Sequence, residues 1–273
     1  MSVLGARNPC NRLGASKPVC TQPSRPHFRR LVRNVHGVRL LGGKVIDSRI
    51  FAPVGFAAVL KLHSYFRSSA SYRVRIALNL KGLPYAYAPV SLVRDGGEQL
   101  SAAFRALNPN ALVPVLEDDG RVLTQSLAII EYLEELHPRP PLLPADPPSR
   151  ARVRALALTI ACEIHPLNNL RVLNYLTQKL GVDERARSAW YRYWVESGLR
   201  AVEAMLIRNA DTGRFCHGER PGLADCCLVP QVFNARRFQC RLDDMPTILR
   251  IYDACMALPA FAHAAPEVQP DAQ

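Results

Sequence analysis

The sequence predicts an α/β domain over residues 59–140 followed by an all-α domain over residues 147–262. Three observations carry this expectation. From Val59 to Leu136, apolar residues alternate with period two in some segments and recur with a helical period in others. Six prolines then crowd between Pro138 and Pro148, the mark of a linker. Beyond them every apolar repeat is helical.

Taken in order, Val59–Ser64 reads as a strand and residues 69–81 as a helix that stops at Gly82 and Pro84. Tyr85–Val90 is a second strand. A polar connection holding Asp95-Gly96-Gly97-Glu98-Gln99 leads to a short helix ending near Leu107-Asn108-Pro109. Val113–Glu117 and Arg121–Thr124 are strands around the turn Asp118-Asp119-Gly120. Ser126 then caps a helix with Ile129, Ile130, Leu133 and Leu136 on its apolar face, closing at His137-Pro138. The later helical periods lie at roughly 149–164, 166–180, 183–209, 223–237 and 246–258.

Composition excludes several function classes. An apolar fraction of 48% and a charged fraction of 21% belong to a soluble globular chain. The net charge of +12 is concentrated in residues 1–58, which hold ten Lys/Arg against Asp47 alone, so +9 sits there. The other 25 basic and 22 acidic residues leave +3, without the basic stripe that nucleic-acid binding needs. Residues 1–58 keep no lasting period and are expected to be a disordered extension or to follow from a start assigned too far upstream. The acid-free run through Arg29-Arg30 and Arg39 shares a flavour with organelle presequences, the alternative reading. No segment is long and apolar enough to span a bilayer. The eight cysteines make no C-x-x-C and the seven histidines no H-E-x-x-H, so no metal is expected. Most cysteines read as buried thiols in a reducing compartment.

The chemistry concentrates at the first strand–helix junction. Ser68, Ser69 and Ser71 crowd a helix start, where backbone N–H groups lack partners and an anion is favoured. One serine there is ordinary capping; three exceed what a cap requires. The run Ser68-Ser69-x-Ser71-x-Arg73-Val74-Arg75-Ile76-Ala77-Leu78 resembles the signature of zeta-class glutathione transferases, which include maleylacetoacetate isomerases. The resemblance extends from about Val59 to Phe261, and the motif is highly specific. Ala70 departs from it, standing where many relatives carry cysteine; that loss is expected to alter inactivation chemistry more than turnover.

The resemblance implies a glutathione transferase fold, with the order βαβαββα as a thioredoxin-like domain ahead of the helices, and a homodimer in the cytoplasm. It also implies glutathione as cofactor and a small acidic substrate. Lowering a thiol pKa by about two units requires about 2.7 kcal/mol. A hydrogen bond to a charged acceptor supplies roughly 1.5–3 kcal/mol, and a helix N-terminus about 0.3–1 more. One serine hydroxyl therefore suffices. By resemblance Ser68 donates to the sulfur with Ser69 close behind, whereas Ser71 is expected to cap the helix. Gln125 and Ser126 would take the γ-glutamyl carboxylate, Gln99 is a further glutathione contact, and Val113, before a cis Pro114, would pair with the peptide. His165, Asn169 and Arg171 match positions near glutathione. Arg67 and Arg237 match substrate contacts, and paired guanidiniums suit a dicarboxylate. Arg236 reads as a solvated helix end. Asp225 sits where a buried acid caps a core helix, but Gly222 leaves its capping box incomplete.

The implied activity is glutathione-dependent cis–trans isomerisation of maleylacetoacetate to fumarylacetoacetate. Maleylpyruvate isomerisation and transfer to α-halo acids are the enzymatic alternatives. A transferase-like scaffold without turnover is the non-enzymatic one; intact Ser68, Gln125, Ser126 and the paired arginines argue against it.

Overall fold

Strand β1 (Leu60–Ser64) occupies an inner position of a four-stranded sheet, its backbone pairing with a neighbour on each edge. A computed structural model describes residues 60–273, and the expectations for residues 1–58 lie outside the described residues. The sheet order is β2-β1-β3-β4, with β2 (Tyr85–Pro89), β3 (Val115–Asp118) and β4 (Arg121–Thr124). β1 runs parallel to β2 and antiparallel to β3, and β3 antiparallel to β4. The β3–β4 turn has Asp119 at φ 47° and Gly120 at φ 76°, the left-handed pair that an Asp-Gly hairpin favours.

Helix α1 (Ser69–Leu80) is buried along most of its length, with Val74, Ile76, Ala77 and Leu78 inaccessible to water. A helix apolar on more than one face must be covered on more than one face. Here α3 (Ser126–Leu136) and α8 (Leu223–Arg237) both pack against α1. Helix α2 (Ala102–Leu107) is capped by Ser101. The result is a thioredoxin-like α/β region followed by an all-helical region.

The proline-rich connection is held firmly. Buried Lys81, at the end of α1, donates to the Glu134 carboxylate (2.7 Å) and to the carbonyls of His137 (2.7 Å) and Pro140 (3.1 Å). Glu134 in turn accepts the backbone N–H groups of Leu142 and Leu143. A buried ion pair needs its remaining hydrogen-bonding capacity filled, and here the connection's own backbone fills it. Leu142 O lies against Gly222, where a Cβ would meet it at 2.6 Å. That close approach explains why no Ser or Thr occupies position 222. Asp225 still accepts the Gly222 N–H (2.8 Å) and the Cys216 N–H (2.9 Å), so the start of α8 is capped from one side only.

Two expected helices, 149–164 and 166–180, have a different layout. Helix α4 (Pro147–Leu158) runs into a π-helical turn at Thr159–Ile164, then α5 (His165–Asn168), and the chain breaks at Asn169 before α6 (Leu170–Gln178). Pro166 has no N–H to continue the ordinary ladder. The widened turn absorbs this: the His165 N–H donates to Ile160 O, five residues back. Helices α7 (Glu184–Ile207), α9 (Pro246–Met256) and α10 (Pro259–Ala262) complete the region. Residues 263–273 then turn back onto the α/β region.

Candidate active site

The β1–α1 connection builds the first wall. Ser68 has extended dihedrals (φ −71°, ψ 116°) and is the N-cap of α1, its Oγ accepting the Ser71 N–H at 3.2 Å. This occupies a lone pair and leaves the hydroxyl proton free to donate. Ser69 Oγ accepts from Asn234 Nδ2 of α8 at 2.6 Å, so its proton is free as well. Ser71, expected to be the cap, is not. It already lies inside the helix, fully buried, with no partner for its Oγ among the described residues. Capping needs a residue still outside helical geometry, and that is Ser68.

The second wall forms where β4 enters α3. Gln125 is the N-cap position, at φ 68°, and makes no side-chain cap bond. Ser126 is therefore the first helical residue rather than the expected cap. Its Oγ accepts from Arg73 Nη1 at 3.3 Å. Arg73 is 2% exposed, and its Nε and Nη2 have no partner among the described residues. Burial lowers its pKa, a measure of how poorly the positive charge is compensated. Gln99 Oε1 is likewise buried without a partner among the described residues. Val113 precedes a cis peptide to Pro114 and lies beyond the last β1–β3 pair, His63–Val115.

The helical region supplies the third wall. His165 is half-buried, and its pKa is pushed down to about 3, by burial first and then by the charges of Arg73 and Arg171. It is neutral at any working pH. Asn169 Oδ1 accepts the Arg171 N–H at 3.1 Å and so caps α6. Arg237 closes α8; burial lowers its pKa, with a further lowering from the nearby Arg67 charge. The Arg67 and Arg237 guanidiniums lie over the rings of Phe66 (4.8 Å) and Phe238 (4.6 Å). Every residue singled out from the sequence as a site residue lines one cleft of about 950 Å³. Arg236 does not line it; it reaches Asp253 and the Tyr252 ring instead.

Such a cleft offers two free hydroxyl donors at a helix start, a second helix start with a hydroxyl, and guanidiniums at the rim. Residues 62–141 match the family model for the N-terminal domain of glutathione S-transferase. A probable maleylacetoacetate isomerase of Vibrio cholerae is 54% identical over 213 residues, covering 78% of this chain and 98% of that protein. The holo structure of maleyl pyruvate isomerase, described as a bacterial glutathione S-transferase in zeta class, superposes with a TM-score of 0.76 at 52% identity. It covers 78% of this chain and 100% of that one. The chain belongs to the zeta-class glutathione transferases. A maleylpyruvate isomerase of a Ralstonia species is 52% identical, over 78% of this chain and 99% of that protein. The maleylacetoacetate isomerase of Anaeromyxobacter dehalogenans with bound glutathione in its active site matches with a TM-score of 0.71 at 48% identity, covering 80% and 99%.

Within this zeta-class cleft, some residues were not legible as site residues beforehand. Arg73 lies inside the serine-rich motif, but nothing in a helical period says which arginine will be buried against Ser126. Asn234 stands three residues before Arg237, and its bond to Ser69 spans 165 positions. Asn168, 5% exposed with both amide atoms unpartnered among the described residues, had no sequence signal at all.

Proposed function

We propose that this zeta-class chain is a glutathione-dependent cis–trans isomerase that converts maleylacetoacetate to fumarylacetoacetate, in the degradation of tyrosine and phenylalanine. The observation that carries the reading is the pair of hydroxyls, Ser68 and Ser69, whose lone pairs are engaged and whose protons are free, in a cleft also edged by Arg67 and Arg237. The donor set fits glutathione. The uncompensated Arg73 charge beside Ser126, and the Gln99 Oε1 and Asn168 amide, unpartnered among the described residues, suit a ligand bearing carboxylates and peptide groups.

When bound, glutathione supplies a thiolate whose reversible addition makes the cis double bond a rotatable single bond. Ser68 would keep that sulfur anionic by donating a hydrogen bond from its free hydroxyl, with Ser69 beside it and the α1 N-terminus adding its dipole. Gln125, Ser126 and Gln99 would hold the γ-glutamyl end, and Val113 the peptide backbone. Ser126 accepts from Arg73, so its own hydroxyl proton is left to donate to a carboxylate. His165, neutral, and Asn169 and Arg171 line the opposite side. Arg67 and Arg237 bind the substrate's carboxylates and steady the negative charge that develops on its oxygens. The same reading takes residues 59–140 as the glutathione-binding domain and residues 147–262 as the substrate domain. It also takes the chain to be a cytoplasmic homodimer. Exposed Val122, Leu136 and Leu158 are apolar surface for a second copy to cover, and no helix among the described residues is long and apolar enough to cross a membrane.

Purified protein with glutathione should isomerise maleylacetoacetate, and the ratio of kcat/KM against maleylpyruvate decides between the two acids. Losing an arginine–carboxylate contact costs roughly 1.5–3 kcal/mol, or about 10- to 150-fold in kcat/KM. Arg237→Met should show that loss on maleyl acids while sparing glutathione binding and a neutral electrophile. Equal losses on charged and neutral substrates at an unchanged Tm would sink the carboxylate contact. No isomerisation of either acid would sink the function.

A further inference from the structure

The segment after α10 is built into the loop that carries Arg67. Residues 263–273 turn back across the α/β region, with Ala264, Ala265 and Pro266 buried. Gln269 Nε2 donates to the carbonyls of His263 (2.9 Å) and Ala265 (2.8 Å), which closes the segment on itself. Arg75, fully buried, donates from Nε to Ala264 O at 3.0 Å, from Nη1 to Ser64 Oγ at 3.1 Å, and from Nη2 to Phe66 O at 3.0 Å. One motif arginine thus joins the C-terminal segment to the loop before Ser68, and its role is structural.

Asp271 makes the second connection. One carboxylate oxygen accepts the Phe66 N–H at 3.1 Å and the other accepts the Tyr87 hydroxyl at 2.5 Å. Ala272 packs against the cluster that contains Tyr65 and Phe66. Phe66 is therefore gripped at its N–H by Asp271 and at its carbonyl by Arg75, and its ring lies 4.8 Å from the Arg67 guanidinium carbon. The Ser68 N–H donates to Tyr65 O at 2.9 Å, the carbonyl of the same peptide whose N–H Asp271 holds, while its Oγ is fixed independently by the Ser71 N–H. Arg67 and Arg237 also edge a second cavity of about 620 Å³, whose other wall includes Glu267, Ala272 and Gln273.

We propose that Asp271 is a positioning residue for the isomerase reaction: by holding the Phe66 backbone to Tyr87 it sets the Phe66 ring against Arg67 and so aims that guanidinium into the cleft. This rests on the reading of Arg67 as a substrate contact. It predicts an effect that falls mainly on the acidic substrate, because the Ser68 Oγ is fixed independently of Asp271 by the Ser71 N–H.

Four chains test it: wild type, Asp271→Ala, Arg67→Met and the double variant, with Asp271→Asn as the conservative control. Losing a hydrogen bond to a charged group that aims Arg67 should lower kcat/KM on a maleyl acid by about 10- to 100-fold in Asp271→Ala. Glutathione affinity by calorimetry should stay within about twofold of wild type. Asn keeps an acceptor for the Phe66 N–H and a donor for the Tyr87 oxygen, so Asp271→Asn should recover most of the activity. In the Arg67→Met background, Asp271→Ala should cost less than about threefold further, since the group it aims is gone. Additive losses, a parallel loss of glutathione affinity, or wild-type kcat/KM in Asp271→Ala would each overturn the inference. Hydrogen exchange of residues 65–68 needs no turnover and should speed up in Asp271→Ala; unchanged exchange also overturns it. If wild type fails to isomerise maleyl acids while exchange responds as expected, the assigned function has failed and the Asp271 anchor of the loop has not.

Discussion

Ser68 uses a single oxygen for two purposes: it closes α1 as a hydrogen-bond acceptor and presents a free proton to the cleft. Ser71, three residues on, does neither. Burying a hydroxyl without a partner is costly, whereas losing a cap costs about 0.5–2 kcal/mol. Ser68→Ala should therefore lose both stability, by about 1 kcal/mol, and most of its activity at neutral pH, with glutathione affinity much less affected. Ser71→Ala should be neutral or slightly stabilising, since it removes a hydroxyl with nothing to bond. Thermal melts and pH–rate profiles of the two variants check this. If Ser71→Ala is the more destabilised, the capping assignment is wrong. Wild-type kcat for Ser68→Ala across pH 6–9 would transfer the thiol role to Ser69.

At the scale of elements, the interruption between α4 and α6 has chemical consequences. His165, Asn168 and Asn169 share one wall of the cleft, as i, i+3, i+4 spacing favours, and the break at Asn169 lets its Oδ1 cap α6. His165 is held between Arg73 and Arg171, with its pKa depressed from 6.5 to about 3. The unfolded chain then binds the proton more tightly than the native state does. Stability is consequently complete above pH 6.5 and is lost as pH falls, down to about 3, where the native histidine also protonates. Between pH 7 and pH 5 this single group should cost wild type up to about 2 kcal/mol that His165→Gln does not lose. Urea unfolding of both proteins at the two pH values measures the difference, and parallel losses would remove His165 as its source.

Across the whole molecule, the α/β and helical regions are joined by buried polar groups as well as by apolar packing. Arg75 binds the C-terminal segment, Asn234 binds Ser69, and the Lys81–Glu134 pair binds the proline-rich connection. These bonds lie wholly within residues 60–273, and the Vibrio cholerae relative is covered to 98% of its length by 78% of this chain. A chain beginning at Val59 should accordingly fold and turn over as the full-length protein does, with its Tm within about 2 °C. A large fall in Tm or in kcat/KM would assign residues 1–58 a structural part.

Period and punctuation were enough to place the strands, the Asp119-Gly120 hairpin, most of the helices and the order of the two regions, because those are local backbone preferences. The serine run at a helix start was legible for the same reason. Sequence alone could not say which serine caps α1, since capping depends on where helical dihedrals begin. Nor could it distinguish Arg75, a clamp on backbone carbonyls, from Arg73, a poorly compensated charge beside Ser126: the two stand two residues apart in one motif. The grip of Asp271 on Phe66 joins positions 205 residues apart. Contacts of that kind are decided by which surfaces meet when the layers pack, and no local pattern encodes them.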